Sequence, residues 1–190
     1  MNELFPIFIK ADQINILIIG GGKVATEKLH FLLKSSPNAQ VRVVAKRVSH
    51  TVRNLSMQNL NVKVDERKFK RKDLKGRQVV IVAADNVLLN QRIAKLSHKR
   101  HFLLNVADTP GYCDFYLGGI VTRDKLKIAI STNGKAPILA KRLREFFEQE
   151  IPIEIDDTVD LIHTLRQRMK GDFSEKLIEL NKLTKNIIES

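Results

Sequence analysis

The stretch INILIIGGGKVA, residues 14–25, decides the fold. Its first part, Ile14 to Ile19, is apolar except at Asn15 and rich in β-branched isoleucine, which is typical of a strand buried on both faces of a parallel sheet. Three glycines follow at once, and they lead into KVATEKLHFLLKSS, whose apolar residues have rough helical spacing until Pro37 ends the pattern. The stretch therefore predicts a buried strand, a tight glycine turn and a helix.

The same alternation of strand and helix continues to residue 106. The apolar runs predict strands at 41–45, 62–64, 78–84 and 102–106, and helical patterns lie between them at 48–58 and 86–99. Strands that alternate with helices in this way form a parallel sheet with right-handed crossovers and helices on both faces. The predicted class is α/β, a Rossmann-type doubly wound parallel sheet.

The alternation ends after residue 112, which predicts a change of architecture. Residues 115–132 indicate two short strands joined around Arg123 and Asp124, and residues 136–151 form a strongly amphipathic helix. Two further helical stretches lie around 157–169 and 173–188, with Gly171 and Asp172 between them. We therefore predict three domains, which are a sheet domain, a small α+β dimerisation region and a helical C-terminal domain, over residues 1–112, 113–150 and 151–190.

Composition and charge narrow the class of protein. The chain has 190 residues, of which 43 % are hydrophobic, enough to bury a core, and no apolar run is long enough to span a membrane. A single cysteine, Cys113, and a poor N-terminal signal pattern indicate the cytoplasm. The net charge of +12 is concentrated in residues 42–77 and 121–145, which favours a polyanionic partner, although a solvated basic surface is the alternative.

The glycine turn predicts a dinucleotide site. In the pattern G-x-G-x-x-[GA], Gly20 makes the turn, Gly22 lets the backbone approach a pyrophosphate, and Ala25 lets the helix pack close to the strand. The acidic residue expected at the end of the second strand, where it would bind a ribose, is missing, and Lys46 and Arg47 stand there instead. This pair favours a 2′-phosphate and NADP, whereas solvated charges leave NAD as the cofactor; both remain open at this point.

Two aspartates follow the last two predicted strands of the sheet. Asp108 comes just after FLLNV and precedes no predicted helix, which favours a catalytic role in taking up or delivering a proton over the alternative of a plain turn residue. Asp85 occupies the analogous place after QVVIVAA, as a cofactor contact or as the N-cap of the next helix. The polar turn 131–137 precedes another helix, and it either holds a carboxylate of a ligand or serves only as a cap. The five histidines show no spacing that predicts a metal site.

Four segments together carry a family resemblance. GGGKVATEK, VAADNVLLN, NVADTPGYCDF and IAISTNGKAPILAKRLRE, in this order and spacing, resemble the precorrin-2 dehydrogenases of sirohaem biosynthesis, which are similar to the N-terminal half of bacterial sirohaem synthase. The resemblance implies NAD-dependent oxidation of precorrin-2 to sirohydrochlorin by a homodimer, and some members of the family also insert ferrous iron. It also implies a Rossmann domain, a central dimerisation region and a helical C-terminal domain.

The resemblance places the family's functional residues on this chain. The catalytic aspartate falls on Asp108, and the substrate turn falls on Ser131 and Thr132, to which we add the nearby Lys135. The expected cofactor contacts are Gly20, Gly22, Lys23, Val24, Ala25, Ala45, Lys46, Arg47 and Asp85. Precorrin-2 carries eight carboxylates, which would explain the basic blocks without a specific nucleic acid or a membrane. An NAD-sensing regulatory module without catalysis is the alternative function.

Overall fold

Five parallel strands form the central sheet of the protein, for which we describe residues 3–168 and 173–184 of a computed structural model. The strand order is β3-β2-β1-β4-β5, so the chain builds outward from β1 first to one side and then to the other. This order places a topological switch point between β1 and β4, at whose carboxyl ends open α/β sheets bind ligands. The sheet elements are β1 Asn15–Ile19, β2 Gln40–Ala45, β3 Val62–Glu66, β4 Val79–Val82 and β5 Leu103–Val106.

Three helices and two short 3-10 helices accompany this sheet. The helices are α1 Lys23–Ser35, α2 His50–Gln58 and α3 Val87–Arg100, and the 3-10 helices are Arg71–Leu74 and Pro110–Tyr112. Along β1, Ile16 and Ile18 pack in the apolar cluster that contains residues of α1 and α2, whereas Leu17 and Ile19 pack in the cluster that contains residues of α3. Both faces of the sheet are therefore covered, and the predicted doubly wound fold is confirmed.

A second, smaller group of elements follows. It consists of the antiparallel pair β6 Gly119–Thr122 and β7 Lys127–Ile130 and of the helices α4 Pro137–Glu150, α5 Ile155–Arg168 and α6 Phe173–Thr184. The chain divides into two compact units, Met1–Leu117 with Asn133–Lys135, and Gly118–Thr132 with Ala136–Ser190. The three-domain division predicted from the sequence stays a prediction. The predicted break at Gly171 and Asp172 and the predicted helical residues 185–188 lie outside the described residues.

Polar contacts of the β6–β7 turn hold the second unit together. The Arg123 guanidinium donates hydrogen bonds to the carbonyl oxygens of Glu148, at 2.7 Å, and Ile151, at 2.5 Å, and so it caps the C-terminus of α4. The backbone N–H groups of Asp124 and Lys125 donate to the Asp156 carboxylate at the start of α5. The hydrogen bond from the Lys125 N–H holds the pKa of Asp156 below its usual value. The turn therefore links β6, β7, α4 and α5.

A buried carboxylate organises the basic segment between β3 and β4. Both oxygens of Asp73 accept hydrogen bonds from Arg67, at 2.8 Å each, and one of them also accepts the Lys70 backbone N–H. The Asp73 side chain is only 4 % exposed. The sequence indicated a solvated or polyanion-binding run here and no regular element, but the paired Arg67 and the 3-10 helix Arg71–Leu74 show that part of the run is structural.

We expect Asp73→Asn to lower the free energy of unfolding by about 2 kcal/mol at pH 7, because it removes charge-assisted hydrogen bonds from Arg67. The Arg67 guanidinium holds the pKa of Asp73 below its usual value, so its contribution to stability is present above the unfolded pKa and is lost as the pH falls through the folded pKa. Urea unfolding at several pH values should show the two proteins converging as the solution becomes acidic. A difference that stays constant down to pH 3 would contradict this assignment.

Candidate functional site

A cavity of about 870 Å³ lies at the carboxyl ends of the parallel strands, and its wall is drawn from residues 19–109. Hydrogen bonds of the sheet continue past the strand ends at this edge. Gly20 donates to the Val44 carbonyl at 3.1 Å, Ala83 donates to Ile19 at 2.8 Å, and Ala107 donates to Val82 at 2.9 Å. The segments that follow β1, β2, β4 and β5 are thereby fixed side by side, and each contributes to the wall.

The glycine turn after β1 fits a phosphate group. Gly20 has φ +130°, and a Cβ there would lie 2.2 Å from the Ala83 carbonyl oxygen, so only glycine can make this turn. Gly22 is the N-cap of α1, no side chain caps the helix, and a Cβ on Gly22 would meet nothing within 4 Å. The first turn of α1 therefore presents backbone N–H groups to an open cavity, as helices that bind a pyrophosphate do.

The sequence-predicted contacts of the first helix separate into two groups. Gly20, Gly22, Lys23 and Val24 line the cavity. Ala25 does not line it, because it is buried in the apolar core beneath α1. That position agrees with the packing function predicted for it and leaves it without direct access to a ligand.

The segment after β2 contributes two cationic side chains and no carboxylate to the cavity wall. Ala45, Lys46 and Arg47 all line the cavity. Asp65 and Glu66, the next acidic residues along the chain, are bound by arginines. Glu66 accepts two hydrogen bonds from Arg53, at 2.9 and 2.7 Å, and Asp65 pairs with Arg67 at 2.9 Å. The missing ribose-binding acid noted in the sequence is therefore not replaced by either residue.

Two wall residues that follow β3 were missed in the sequence. Lys68 and Phe69 line the cavity, and Phe69 also packs against the apolar cluster beneath α3. The paired Arg67 and Asp73 fix the backbone on both sides of them. The available signal was weak, because Phe69 is merely the one aromatic residue in the basic run 67–77. A half-buried aromatic ring on this wall offers a flat surface for a planar group.

The start of α3 corrects one interpretation. The N-cap of α3 is Asn86, whose side chain accepts a hydrogen bond from the Leu89 N–H at 2.9 Å, and not Asp85. Asp85 is exposed and lines the cavity. Asn90, which the sequence did not single out, also lines the cavity, and its buried Oδ1 atom has no hydrogen-bond partner among the described residues. Such an unsatisfied acceptor is the kind of group that a bound polar ligand satisfies.

Asp108 lies exposed on the cavity wall, in the turn that follows β5. Its φ of +57° is in the left-handed region, where aspartate and asparagine are better tolerated than most residues. A 3-10 helix begins two residues later, at Pro110, with Thr109 as its N-cap, so the expectation that no helix follows was incomplete. Because Asp108 does not cap this helix, its carboxylate is available at the cavity.

The loop that carries Asp108 is closed by two residues at its far end. Asp114 exchanges hydrogen bonds with the backbone of Leu104, at 2.7 and 2.8 Å. The Cys113 thiol lies 3.2 Å from the Val106 N–H and 3.3 Å from the Val106 carbonyl oxygen. Burial raises the pKa of this thiol, so Cys113 is a protonated structural group at neutral pH rather than a nucleophile.

The predicted substrate turn belongs to the segment between β7 and α4. Ser131, Thr132 and Lys135 are not among the residues that line the cavity. Thr132 accepts a hydrogen bond from the Ala136 N–H at 3.1 Å and so closes the turn, while no side chain caps α4 itself. Thr132 therefore stabilises the turn before α4 without capping the helix. The substrate role of Ser131, Thr132 and Lys135 stays a prediction.

Residues 3–168 and 173–184 contain neither a metal-ligand cluster nor a membrane-spanning helix. No set of three or more His, Cys, Asp or Glu side chains in these segments is arranged to hold a metal ion. No helix in the same segments combines the length and the apolar character needed to cross a bilayer.

Comparison with known proteins identifies matching families over both units. A family model described as "Putative NAD(P)-binding" matches residues 7–119, and one described as "Sirohaem biosynthesis protein central" matches residues 123–150. The chain is 36 % identical over 174 residues to a sirohaem synthase of Ruthia magnifica and 34 % identical over 172 residues to one of Pseudoalteromonas atlantica. These alignments cover 92 and 90 % of this chain but only 36 and 37 % of the relatives, so the chain spans just over a third of their length.

A solved structure described as SirC, a precorrin-2 dehydrogenase, shares the fold with a TM-score of 0.74 and 22 % identity. The match covers 95 % of this chain and 89 % of that one. This match confirms the fold, and the sirohaem synthase relatives and the two family models confirm the resemblance predicted from the four sequence segments.

Gly22→Val should weaken NAD binding at least tenfold while the protein keeps its unfolding temperature. The new side chain has open space around it, but it occupies the place where a pyrophosphate would approach the first turn of α1. Gly20→Ala is the matched contrast, because its Cβ collides with the Ala83 carbonyl and should destabilise the fold itself. Calorimetric titration with NAD and thermal unfolding separate the two effects. Wild-type NAD affinity in Gly22→Val would show that the glycine turn does not hold the cofactor.

Proposed function

The chain belongs to the NAD(P)-binding family whose model matches residues 7–119, and from that premise we propose that it catalyses the NAD-dependent dehydrogenation of precorrin-2 to sirohydrochlorin in sirohaem biosynthesis. The observation that supports this most is the sharing of one cavity by the phosphate-binding glycine turn and the exposed carboxylate of Asp108. A module that only senses NAD would have no use for a carboxylate held beside the cofactor.

The proposed cofactor contacts are those on the cavity wall. The first turn of α1, from Gly20 to Val24, holds the pyrophosphate, the segment Ala45–Arg47 meets the adenosine end, and Asp85 contacts the cofactor from the turn after β4. We propose NAD rather than NADP as the preferred cofactor, on the strength of the family resemblance and against the local charge of Lys46 and Arg47. When bound, the cofactor supplies a hydride acceptor.

Asp108 is proposed to take up the proton that accompanies the hydride. Removing two hydrogens from precorrin-2 sends a hydride to NAD and leaves a proton, which needs a base beside the substrate. Asp108 is exposed on the cavity wall and does not cap the neighbouring 3-10 helix, so its oxygens can accept that proton. The Cys113 and Asp114 contacts close the loop and so hold the backbone that carries Asp108.

Charge supports a substrate with many carboxylates. Lys23, Lys46, Arg47 and Lys68 line the cavity against only Asp85 and Asp108, so the wall is net positive. Such a wall attracts a flat macrocycle that carries eight carboxylates. We propose that Ser131, Thr132 and Lys135 bind some of these groups and that no specific nucleic acid is a partner. We also propose a cytoplasmic location, in keeping with the single thiol at Cys113.

A homodimer built on residues 113–150 is part of the proposal. The apolar side of α4 is solvent-exposed in the single chain, with Ile138 72 % and Phe146 52 % exposed. Within the described residues, the sheet of this unit consists of the strands β6 and β7, which pack against α4, and neither outer strand edge is paired with a further strand. A second copy would cover both features. We propose that residues 1–112 bind the cofactor, that residues 113–150 form the dimer interface and that residues 151–190 form a helical domain.

The function is tested by mixing purified protein, precorrin-2 and NAD and following the absorption spectrum of sirohydrochlorin. Parallel reactions with NADP measure the cofactor preference as a ratio of kcat/KM. Further reactions with ferrous or cobaltous ion report whether the protein also inserts the metal. Tight NAD binding without oxidation of precorrin-2 would favour the sensing module over the enzyme.

We expect Asp108→Asn to reduce kcat about 100-fold or more, because it removes the base while keeping the shape. Asparagine also tolerates the left-handed backbone at this position, so the fold and NAD affinity should be unchanged. Stopped-flow measurement of NADH formation and calorimetric NAD titration check the two halves of this expectation. Precorrin-2 oxidation at the wild-type rate by Asp108→Asn would show that the assignment is wrong.

Light scattering at micromolar concentration should give twice the mass of one chain. Phe146→Glu, which places a charge on the exposed apolar side of α4, should shift the mass toward that of a single chain. Lys141→Glu, on the same helix at an exposed position, is the matched control and should leave the dimer intact. A single-chain mass for the wild-type protein would contradict the dimer.

A further inference from the structure

A second concave site lies on the sheet-containing unit, outside the cavity described above. Its volume is about 320 Å³, and four cationic side chains line it, with Leu88 and Leu96 among its apolar residues. Arg92, Lys95 and Lys99 come from α3 and Arg71 comes from the 3-10 helix that follows β3. We call these four residues the basic pocket. A hydrogen bond from the Arg100 guanidinium to the Arg71 carbonyl, at 3.4 Å, joins the two elements.

The basic pocket has no compensating carboxylate. Residues 86–107, which include all of α3, contain neither Asp nor Glu. Asp73, which belongs to the same 3-10 helix as Arg71, is buried and bound by Arg67. Among the residues that the structure describes, none forms an ion pair with the four cations of the pocket. Four like charges around one small cavity repel one another, and an anion would remove that cost.

The helix dipole explains only part of this charge. Cations in the last turn of a helix are stabilised by its C-terminal carbonyl groups, and Lys99 and Arg100 occupy that turn in α3. Arg92 lies two turns earlier, in the first half of α3, and Arg71 is on another element. These two residues carry guanidinium groups, whose planar donor forks match the oxygens of a phosphate.

We propose that the basic pocket binds a small phosphate-bearing anion, at a site separate from the cofactor cavity. The volume is ample for a group of pyrophosphate size. None of the described residues that line the pocket is aromatic, so none of them can stack on a nucleic-acid base. The pocket and the cavity share no lining residue, but they use neighbouring positions at the start of α3. Leu88 lines the pocket, whereas Val87 and Leu89 line the cavity. One helix therefore contacts both sites.

The test is calorimetric titration of the full chain with pyrophosphate at about 0.15 M salt, where non-specific attraction is screened. Each titration is run with and without saturating NAD, because pyrophosphate also fits the glycine turn of the cavity. Binding that survives NAD and is weakened at least tenfold in Arg92→Gln/Lys95→Gln supports the site. A parallel titration with a nucleoside triphosphate shows whether the pocket binds a free phosphate compound or a nucleotide more tightly.

Lys10→Gln/Lys63→Gln is the control, since it removes the same charge from exposed positions on the same unit. It should bind pyrophosphate as the wild-type protein does. The pocket variant should unfold at the wild-type temperature or above it, because it loses repulsion and no contact. Equal weakening in both variants, or no binding that survives NAD, would overturn the proposal. Binding of a short RNA duplex that depends on Arg92 and Lys95 while pyrophosphate fails to bind would overturn it as well.

Discussion

The close approach of the Gly20 backbone to the carbonyl group of Ala83 is the constraint on which the ligand-binding edge depends. β1 is hydrogen-bonded to β2 on one side and to β4 on the other, and these ladders continue to Gly20 and Ala83. The chain must therefore leave the sheet and enter α1 within the three residues Gly20–Gly22, with no room for a side chain at Gly20. Because the turn is this tight, the free N–H groups of α1 point at the strand ends, where the segments after β2, β4 and β5 also arrive.

The sequence was sufficient for the features that depend on local pattern. The mostly apolar stretch Ile14–Ile19 and the glycines after it predicted β1, the turn and α1. Alternating patterns predicted the remaining strands and α2 and α3 to within a few residues. Contacts between distant residues were not predictable in this way. The pairing of Arg67 with Asp73 looks like solvated charge in the sequence, and the places of Lys68 and Phe69 on the wall depend on it. The sequence did not show which of the adjacent residues Asp85 and Asn86 caps α3, because the side chains of both can accept a hydrogen bond from the first turn of a helix.

Asp108 illustrates how an exposed loop residue is positioned without being part of a regular element. Its left-handed backbone costs free energy, which the surrounding contacts must offset. Cys113 and Asp114 return the chain to β5 by hydrogen bonds to Val106 and Leu104, so the turn is closed over a short span. The raised pKa of the Cys113 thiol fits this structural role, because an uncharged thiol can sit half-buried against backbone groups. Asp108 on such a loop is exposed, and the hydrogen bonds of Cys113 and Asp114 fix the backbone that carries it.

Helix α3 shows how one element serves several purposes through separate faces. Its buried face contributes Ile93 and Ala94 to the core. At its N-terminal end, the N-cap Asn86 and the helical residue Asn90 line the cavity. Its remaining surface carries cations and no acidic residue, unlike α5, which has acidic residues in its first turn and basic residues in its last. A helix that needed only solubility would gain more from mixed charges, which attract along its surface. The one-sided charge of α3 is therefore better explained by an anion that binds there than by solvation alone.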